Sequence, residues 1–286
     1  MTSSVPVVSV GSYEEALRAA KDVEGIFKDI GVVVIRGHKF SDEEHTSLCL
    51  VLGDSLGWNM NSNAETRYKS GTYKGGHSDL EDDRAYTIKA DEYLLDWHIE
   101  QVFYVSPILA GLWNMHKFTA PSGSGRTNFM DSCKLYETFT PEEQNFLDKS
   151  VMYWKKQSND GSGPYYTKAV ASHPISGKPT LRIETDRGCE VPPELYLLDK
   201  KEPSEQEKQK FKDLVSSLKT RLLEDRDLLI QQDWQEGDLL IVDLFRMYHS
   251  VFGGFDRGQR EFTGIGVRPE IFDQSKYDSL ETLWKN

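Results

Sequence analysis

Trp97-His98-Ile99-Glu100 is the stretch on which the reading of this chain turns. On a strand or at a strand end, side chains at i and i+2 project to the same side. An imidazole nitrogen from His98 and a carboxylate oxygen from Glu100 can therefore reach one ion together. A second histidine lies far downstream, His249, and Arg260 follows it eleven residues later. His249 supplies a third ligand if the chain folds back on itself. Two imidazoles and one carboxylate on one face of an octahedral ion leave the opposite face open.

That donor set is the one used by non-haem Fe(II) oxygenases. Taken singly, each piece has a plainer explanation. A His-x-Glu pair also suits the wet face of a half-buried strand, a lone histidine suits a core or loop, and a lone arginine suits the surface. Their order and spacing, with a Gly-rich segment around Thr127 between them, favour the shared site.

Four segments resemble the Fe(II)/2-oxoglutarate-dependent dioxygenases of the TauD/TfdA-like branch, which includes taurine dioxygenase and clavaminate synthase-like enzymes. Ile30-Gly31-Val32-Val33-Val34-Ile35-Arg36-Gly37 resembles the branch's first strand. Trp97-His98-Ile99-Glu100 is similar to its proximal metal motif, with Glu in place of the commoner Asp. Gly125-Arg126-Thr127-Asn128-Phe129-Met130-Asp131-Ser132 is similar to its GGxT stretch. Gly237-Asp238-Leu239-Leu240-Ile241-Val242-Asp243 through His249 and Arg260 is similar to its distal block. The chain departs from the pattern at Leu244-Phe245, where many members carry Asn-Arg, and this bears on the substrate pocket more than on the metal.

The resemblance implies His98, Glu100 and His249 as ligands of Fe(II), and Thr127 and Arg260 as the holders of 2-oxoglutarate, with O2 as the second cosubstrate. A buried carboxylate needs a paired charge, and a planar guanidinium meets it with two parallel hydrogen bonds, which suits Arg260 to the task. It also implies hydroxylation, desaturation or cyclisation of a small molecule, with succinate and CO2 as products. Glu100 fills the position that related halogenases leave open for chloride, so halogenation is not expected. Glu100 resembles the ligand of amino-acid hydroxylases, which points to an amino acid or an amino-acid-derived metabolite. Gly264 stands where taurine-using members carry a sulfonate-binding arginine. Candidate substrate contacts are Tyr73, His77, Arg84, Arg187, Phe245 and Arg246. The alternative is a non-catalytic or non-redox cupin-like metal-binding protein, which has no need of Thr127 and Arg260 together.

The 286 residues suffice for one large domain, expected over 1–286 with a lid insertion at about 54–95. Pattern alone gives a mixed, β-rich chain. The resemblance implies a double-stranded β-helix, or jelly roll, with flanking α-helices. Balancing 34 basic against 46 acidic residues leaves a net charge of −12. That balance gives no broad electrostatic footprint for nucleic acid or an anionic membrane surface. Three cysteines, Cys49, Cys133 and Cys189, are too few and scattered for a disulfide framework or zinc cluster. The start lacks a basic, apolar signal pattern, and no stretch approaches the ~20 apolar residues of a membrane span. A cytoplasmic, soluble enzyme is expected.

Along the chain, Ser12 to Asp29 has helical apolar spacing opened by a Ser12/Glu15 capping box. Val32-Val33-Val34-Ile35 reads as a buried strand and Ser41 opens a second helix to about Leu52. From Gly53 to about Leu95 the periodicity dissolves, which favours a lid over the site. Ser176-Gly177-Lys178-Pro179 reads as a hairpin turn, and Ser204 to about Asp225 as a charged amphipathic helix.

Overall fold

The computed structural model describes residues 2–56, 72–75, 88–102, 108–154, 165–184, 193–199, 202–256 and 258–267. Among them lie two principal sheets. One has five strands in the order Ser3–Ser4, Ile230–Gln232, Thr127–Asp131, Met247–Phe252 and Tyr93–His98. The other has six, ordered Val7–Ser9, Val32–Arg36, Leu239–Asp243, Ala110–Phe118, Arg260–Val267 and Thr72–Gly75. A three-stranded sheet (Glu194–Leu197, Ser150–Trp154, Tyr165–Lys168) and the hairpin Val170–Ser172/Pro179–Leu181 complete the strands.

Strand alternation explains how two sheets share one interior. Val32 and Val34 join Leu240, Val242, Trp113 and Met115 of the six-stranded sheet with Phe129, Ile230 and Met247 of the five-stranded one. Their neighbours Val33, Ile35, Leu239 and Ile241 point the other way, against the helices Ala20–Ile30 and Asp42–Leu56. Outside the five-stranded sheet, Trp97, Ile99, Met130 and Tyr248 pack with Leu214, Leu218 and Leu222 of the helix Glu205–Glu224. The period of two thus decides what lies inside. With Trp97, Ile99 and Tyr248 turned outward, His98 and His249 face the space between the sheets.

The expected helix starts are present. Ser41 Oγ accepts from the Glu44 N–H while the Glu44 carboxylate accepts from the Ser41 N–H, and Ser204 and Glu207 form the same box. Gly177 takes the positive φ of 69° that the turn before Lys178 requires. The expected helix from Ser12 to Asp29 is two helices, Tyr13–Arg18 and Ala20–Ile30, parted at Ala19.

The expectation that periodicity dissolves from Gly53 to Leu95 is corrected at three places. The helix Asp42–Leu56 runs on past Gly53, Thr72–Gly75 is an edge strand paired with Arg260–Val267, and Tyr93 already belongs to a strand. Pairing with a partner about 190 residues away gives the edge strand a backbone ladder that no local pattern announces. The rest of the expected lid, 57–71 and 76–87, lies outside the described residues.

A histidine anchors the helix Asp42–Leu56 to the sheet. His45 is buried, and its Nε2–H donates to the Leu112 carbonyl at 3.2 Å. Burial pulls its pKa down from 6.5 to about 4. Because the folded value lies below the unfolded one, the unfolded chain takes up a proton first as pH falls. Stability is therefore lost between about pH 6.5 and pH 4, by roughly 3 kcal/mol for this group. His45→Gln keeps a donor for Leu112 but cannot titrate. In chemical denaturation, wild type should lose more stability than the variant between pH 7 and pH 4.5, and parallel losses would exclude His45 as the source.

Candidate active site

His98 closes the strand Tyr93–His98, and its Cα lies directly opposite that of His249 in an antiparallel pair. His249 is held from its other side by Phe129 in the neighbouring strand. The two imidazole centroids are 4.0 Å apart. Glu100 sits two residues beyond the strand end, where Gln101 adopts a left-handed φ of 51° and turns the chain. Its Oε2 lies 3.8 Å from Nε2 of both His98 and His249. One ligand atom from each of the three falls within 4.8 Å of the others.

The donor chemistry fits a divalent transition metal. His98 Nδ1 lies 2.8 Å from the Asp96 carbonyl. A carbonyl only accepts, so Nδ1 carries the proton and the Nε2 lone pair faces the centre. Both imidazoles are buried, whereas the Glu100 side chain is one-third exposed. The opening of the site therefore lies on the Glu100 side. Two neutral imidazoles and one carboxylate on one face suit Fe(II) with open positions.

A second set of polar groups lies in the same space between the sheets. Arg260 opens the strand Arg260–Val267 and is 2% exposed. Its guanidinium sits 5.0 Å over the Phe262 ring and 5.6 Å over that of Trp234. Thr127 opens the strand Thr127–Asp131 and is fully buried. Its Oγ1 accepts from Trp234 Nε1 at 2.9 Å and from Arg260 Nη2 at 3.3 Å. With both lone pairs engaged, the hydroxyl proton is left to donate elsewhere. A guanidinium and a hydroxyl donor side by side suit a carboxylate.

Residues 4–265 match the model of the taurine catabolism dioxygenase TauD, TfdA family. The chain belongs to this family. The family is named for a dioxygenase, and the His98, Glu100 and His249 donor set is one that could hold a metal ion. Among solved structures, similar folds include a taurine dioxygenase from Burkholderia xenovorans. It has a TM-score of 0.64 and 14% identity, over 94% of this chain and 88% of that one. AAD-2 in complex with Mn(II) and N-oxalylglycine has a TM-score of 0.64 and 16% identity, over 95% and 96% of the two chains. The PvcB protein from Pseudomonas aeruginosa has a TM-score of 0.60 and 18% identity, over 91% and 84%. A curated relative, 3-((Z)-2-isocyanoethenyl)-1H-indole synthase from Fischerella ambigua (strain UTEX 1903), is 25% identical over 147 residues, 50% of this chain. The aligned part spans about half of that relative, 52% of its length.

The expected substrate contacts divide. Tyr73 lies in the edge strand Thr72–Gly75, with its Cα opposite that of Gly264. His77, Arg84 and Arg187 lie outside the described residues. Phe245 and Arg246 immediately precede the strand that carries His249, yet their side chains have other partners. The Phe245 ring lies under the Arg182 guanidinium at 4.1 Å and edge-on to His173. Arg246 is paired with Asp131 through both Nε and Nη2, and also donates to the Lys28 and Asp29 carbonyls that end the helix Ala20–Ile30. As a substrate contact Arg246 is therefore corrected: its guanidinium is committed to a buried pair and a helix C-terminus.

Three residues escaped the reading of the sequence: Trp234, Trp113 and Arg182. Arg182 follows the strand Pro179–Leu181 and is buried, which pulls its pKa down to about 10. One guanidinium nitrogen donates to the Phe245 carbonyl at 2.8 Å and the other to the Glu100 carbonyl at 3.1 Å. It thus ties the turn bearing the exposed carboxylate to the segment leading into His249. In the TauD-family chain, Arg182→Lys should therefore weaken binding of Mn(II), measured calorimetrically without cosubstrate, by about 10- to 100-fold. Unchanged Mn(II) affinity in a folded variant would confine Arg182 to packing.

Proposed function

We propose that the protein is an Fe(II)- and 2-oxoglutarate-dependent oxygenase that oxidises a small molecule, an amino acid or amino-acid-derived metabolite, by hydroxylation, desaturation or cyclisation. His98, Glu100 and His249 hold the metal in this reading. Thr127 and Arg260 hold the far carboxylate of 2-oxoglutarate. One observation carries the reading: a His-Glu-His donor set shares the space between two sheets with a buried guanidinium and a hydroxyl. When bound, Fe(II) and 2-oxoglutarate supply O2 activation coupled to decarboxylation, giving succinate and CO2.

The residues of the chain position and shield that chemistry. The Asp96 carbonyl fixes the His98 tautomer, the Trp234 N–H fixes the Thr127 hydroxyl, and Arg260 supplies the counter-charge that a buried carboxylate needs. Phe129, Trp113 and Phe262 keep the interior apolar beside His249. Glu100 as the carboxylate ligand supports oxidation without halogen transfer. The double-stranded β-helix description and a lid within 54–95 belong to the same proposal. So does cytoplasmic action on a small molecule. The same proposal has no nucleic-acid or anionic-membrane partner, on the argument of the net charge of −12. Among the described residues, no helix is long and apolar enough to cross a membrane.

The names of two relatives sharpen the substrate class. One makes an indole bearing an isocyanoethenyl group, and PvcB is described as an Fe, alpha-ketoglutarate dependent oxygenase from an isonitrile synthetic pathway. An alkene beside a ring is a product of two-electron oxidation, so desaturation of an aromatic amino-acid derivative is the first arm to assay.

Anaerobic Fe(II) plus 2-oxoglutarate should produce a weak visible charge-transfer band. A screen of amino acids and their isonitrile derivatives should then reveal substrate-dependent succinate. Absence of the band would favour a cupin-like metal-binding protein without turnover. Arg260→Met should raise the 2-oxoglutarate concentration needed by on the order of 100-fold or more, the loss expected for a broken buried charge pair. An unchanged requirement would remove Arg260 from this role.

A further inference from the structure

Trp113 lies on the inner face of the strand Ala110–Phe118 and is 7% exposed. Its indole nitrogen is buried and has no hydrogen-bond partner among the described residues. A buried N–H left unmade is costly and rare. The chain gives up side chains to keep it there. A Cβ at Gly111 would meet the indole nitrogen at 2.9 Å and Leu244 Cδ1 at 2.8 Å, so only glycine leaves room for this ring position. Across the ladder on the next strand, the residue opposite Trp113 is also a glycine, Gly264.

The ring itself lies between the two halves of the site. The Trp113 ring is 5.7 Å from the His249 ring and 6.1 Å from the Phe262 ring. Phe262 in turn lies 5.0 Å beneath the Arg260 guanidinium. Trp113 is therefore the stepping stone between the metal ligands and the carboxylate-binding arginine. A keto acid stretched from the metal to Arg260 must pass along it, with its metal-side carboxylate nearest the Trp113 end.

We propose that Trp113 contacts the cosubstrate directly, its indole N–H donating to the metal-side carboxylate of 2-oxoglutarate. The inference rests on the 2-oxoglutarate site proposed above and assigns it a donor besides Thr127 and Arg260. The hydrogen bond is charge-assisted, which makes it worth more than one between neutral groups. It also explains why a tryptophan, with glycines on two sides, occupies a position that a smaller apolar residue would fill without an orphaned donor.

Trp113→Phe keeps an aromatic ring and removes only the donor and part of the bulk. The Mn(II)-loaded full chain is titrated calorimetrically with 2-oxoglutarate and with N-oxalylglycine. The variant should bind both about 10- to 100-fold more weakly than wild type, while Mn(II) affinity without cosubstrate stays the same. Gly111→Ala, which retains the N–H but displaces the indole, should weaken the same two ligands and serves if Trp113→Phe does not fold. Wild-type affinity in a folded variant overturns the contact and leaves the 2-oxoglutarate site standing. Failure of the wild-type protein itself to bind either keto acid overturns the site and the contact together.

Discussion

The antiparallel pairing of His98 with His249 is the constraint on which the rest of this molecule depends. The two histidines are separated by about 150 residues, and only the ladder between their strands makes them neighbours. Side chains alternate along a strand, so a slip of one residue in either partner would send an imidazole to the outer face. That face is already taken by Trp97, Ile99 and Tyr248, which pack under the helix Glu205–Glu224. The outer core and the inner site therefore enforce the same register.

Buried polar hubs reinforce that register where apolar packing alone would tolerate drift. Asp238 is fully buried just before the strand Leu239–Asp243 and accepts from Arg36 through both oxygens, from the Gln232 amide and from the Gln235 N–H. Asp131 caps the helix Ser132–Glu137 while pairing with Arg246. Asp243 accepts from the Arg246 N–H, and His173 Nε2 lies 2.8 Å from its other oxygen. The His173 Nδ1 accepts the Ser176 N–H, so Nε2 carries the proton that reaches Asp243. Arg182 joins this group to Glu100. Buried pairs of this kind add little net stability compared with apolar packing, yet breaking one leaves a stranded charge. Here they fix where the chain turns before and after the site.

The sequence revealed what depends on local chemistry or short spacing. His98 and Glu100 were legible because a period of two puts them together, and the helix starts at Ser12, Ser41 and Ser204 because a few residues suffice to define them. His249, Thr127 and Arg260 were legible only jointly, through a resemblance in order and spacing. What depends on distant partners was not legible. Arg182 sits just after a short hairpin strand with no polar pattern, and its importance comes from two backbone carbonyls, one of them 82 residues away. Arg246 beside His249 suggested a substrate contact, but Asp131, 115 residues earlier, had already claimed its charge. Trp113 read as one more apolar residue in a strand. What sets it apart is that its N–H has no acceptor among the described residues.

The most direct test of the account is a crystal structure of the protein grown with Mn(II) and N-oxalylglycine. The account predicts one metal ion bonded to His98 Nε2, His249 Nε2 and a Glu100 oxygen, with the far carboxylate of the keto-acid analogue against Arg260 and Thr127. A metal seated on other residues, or an Arg260 guanidinium turned away from the ligand, would contradict it.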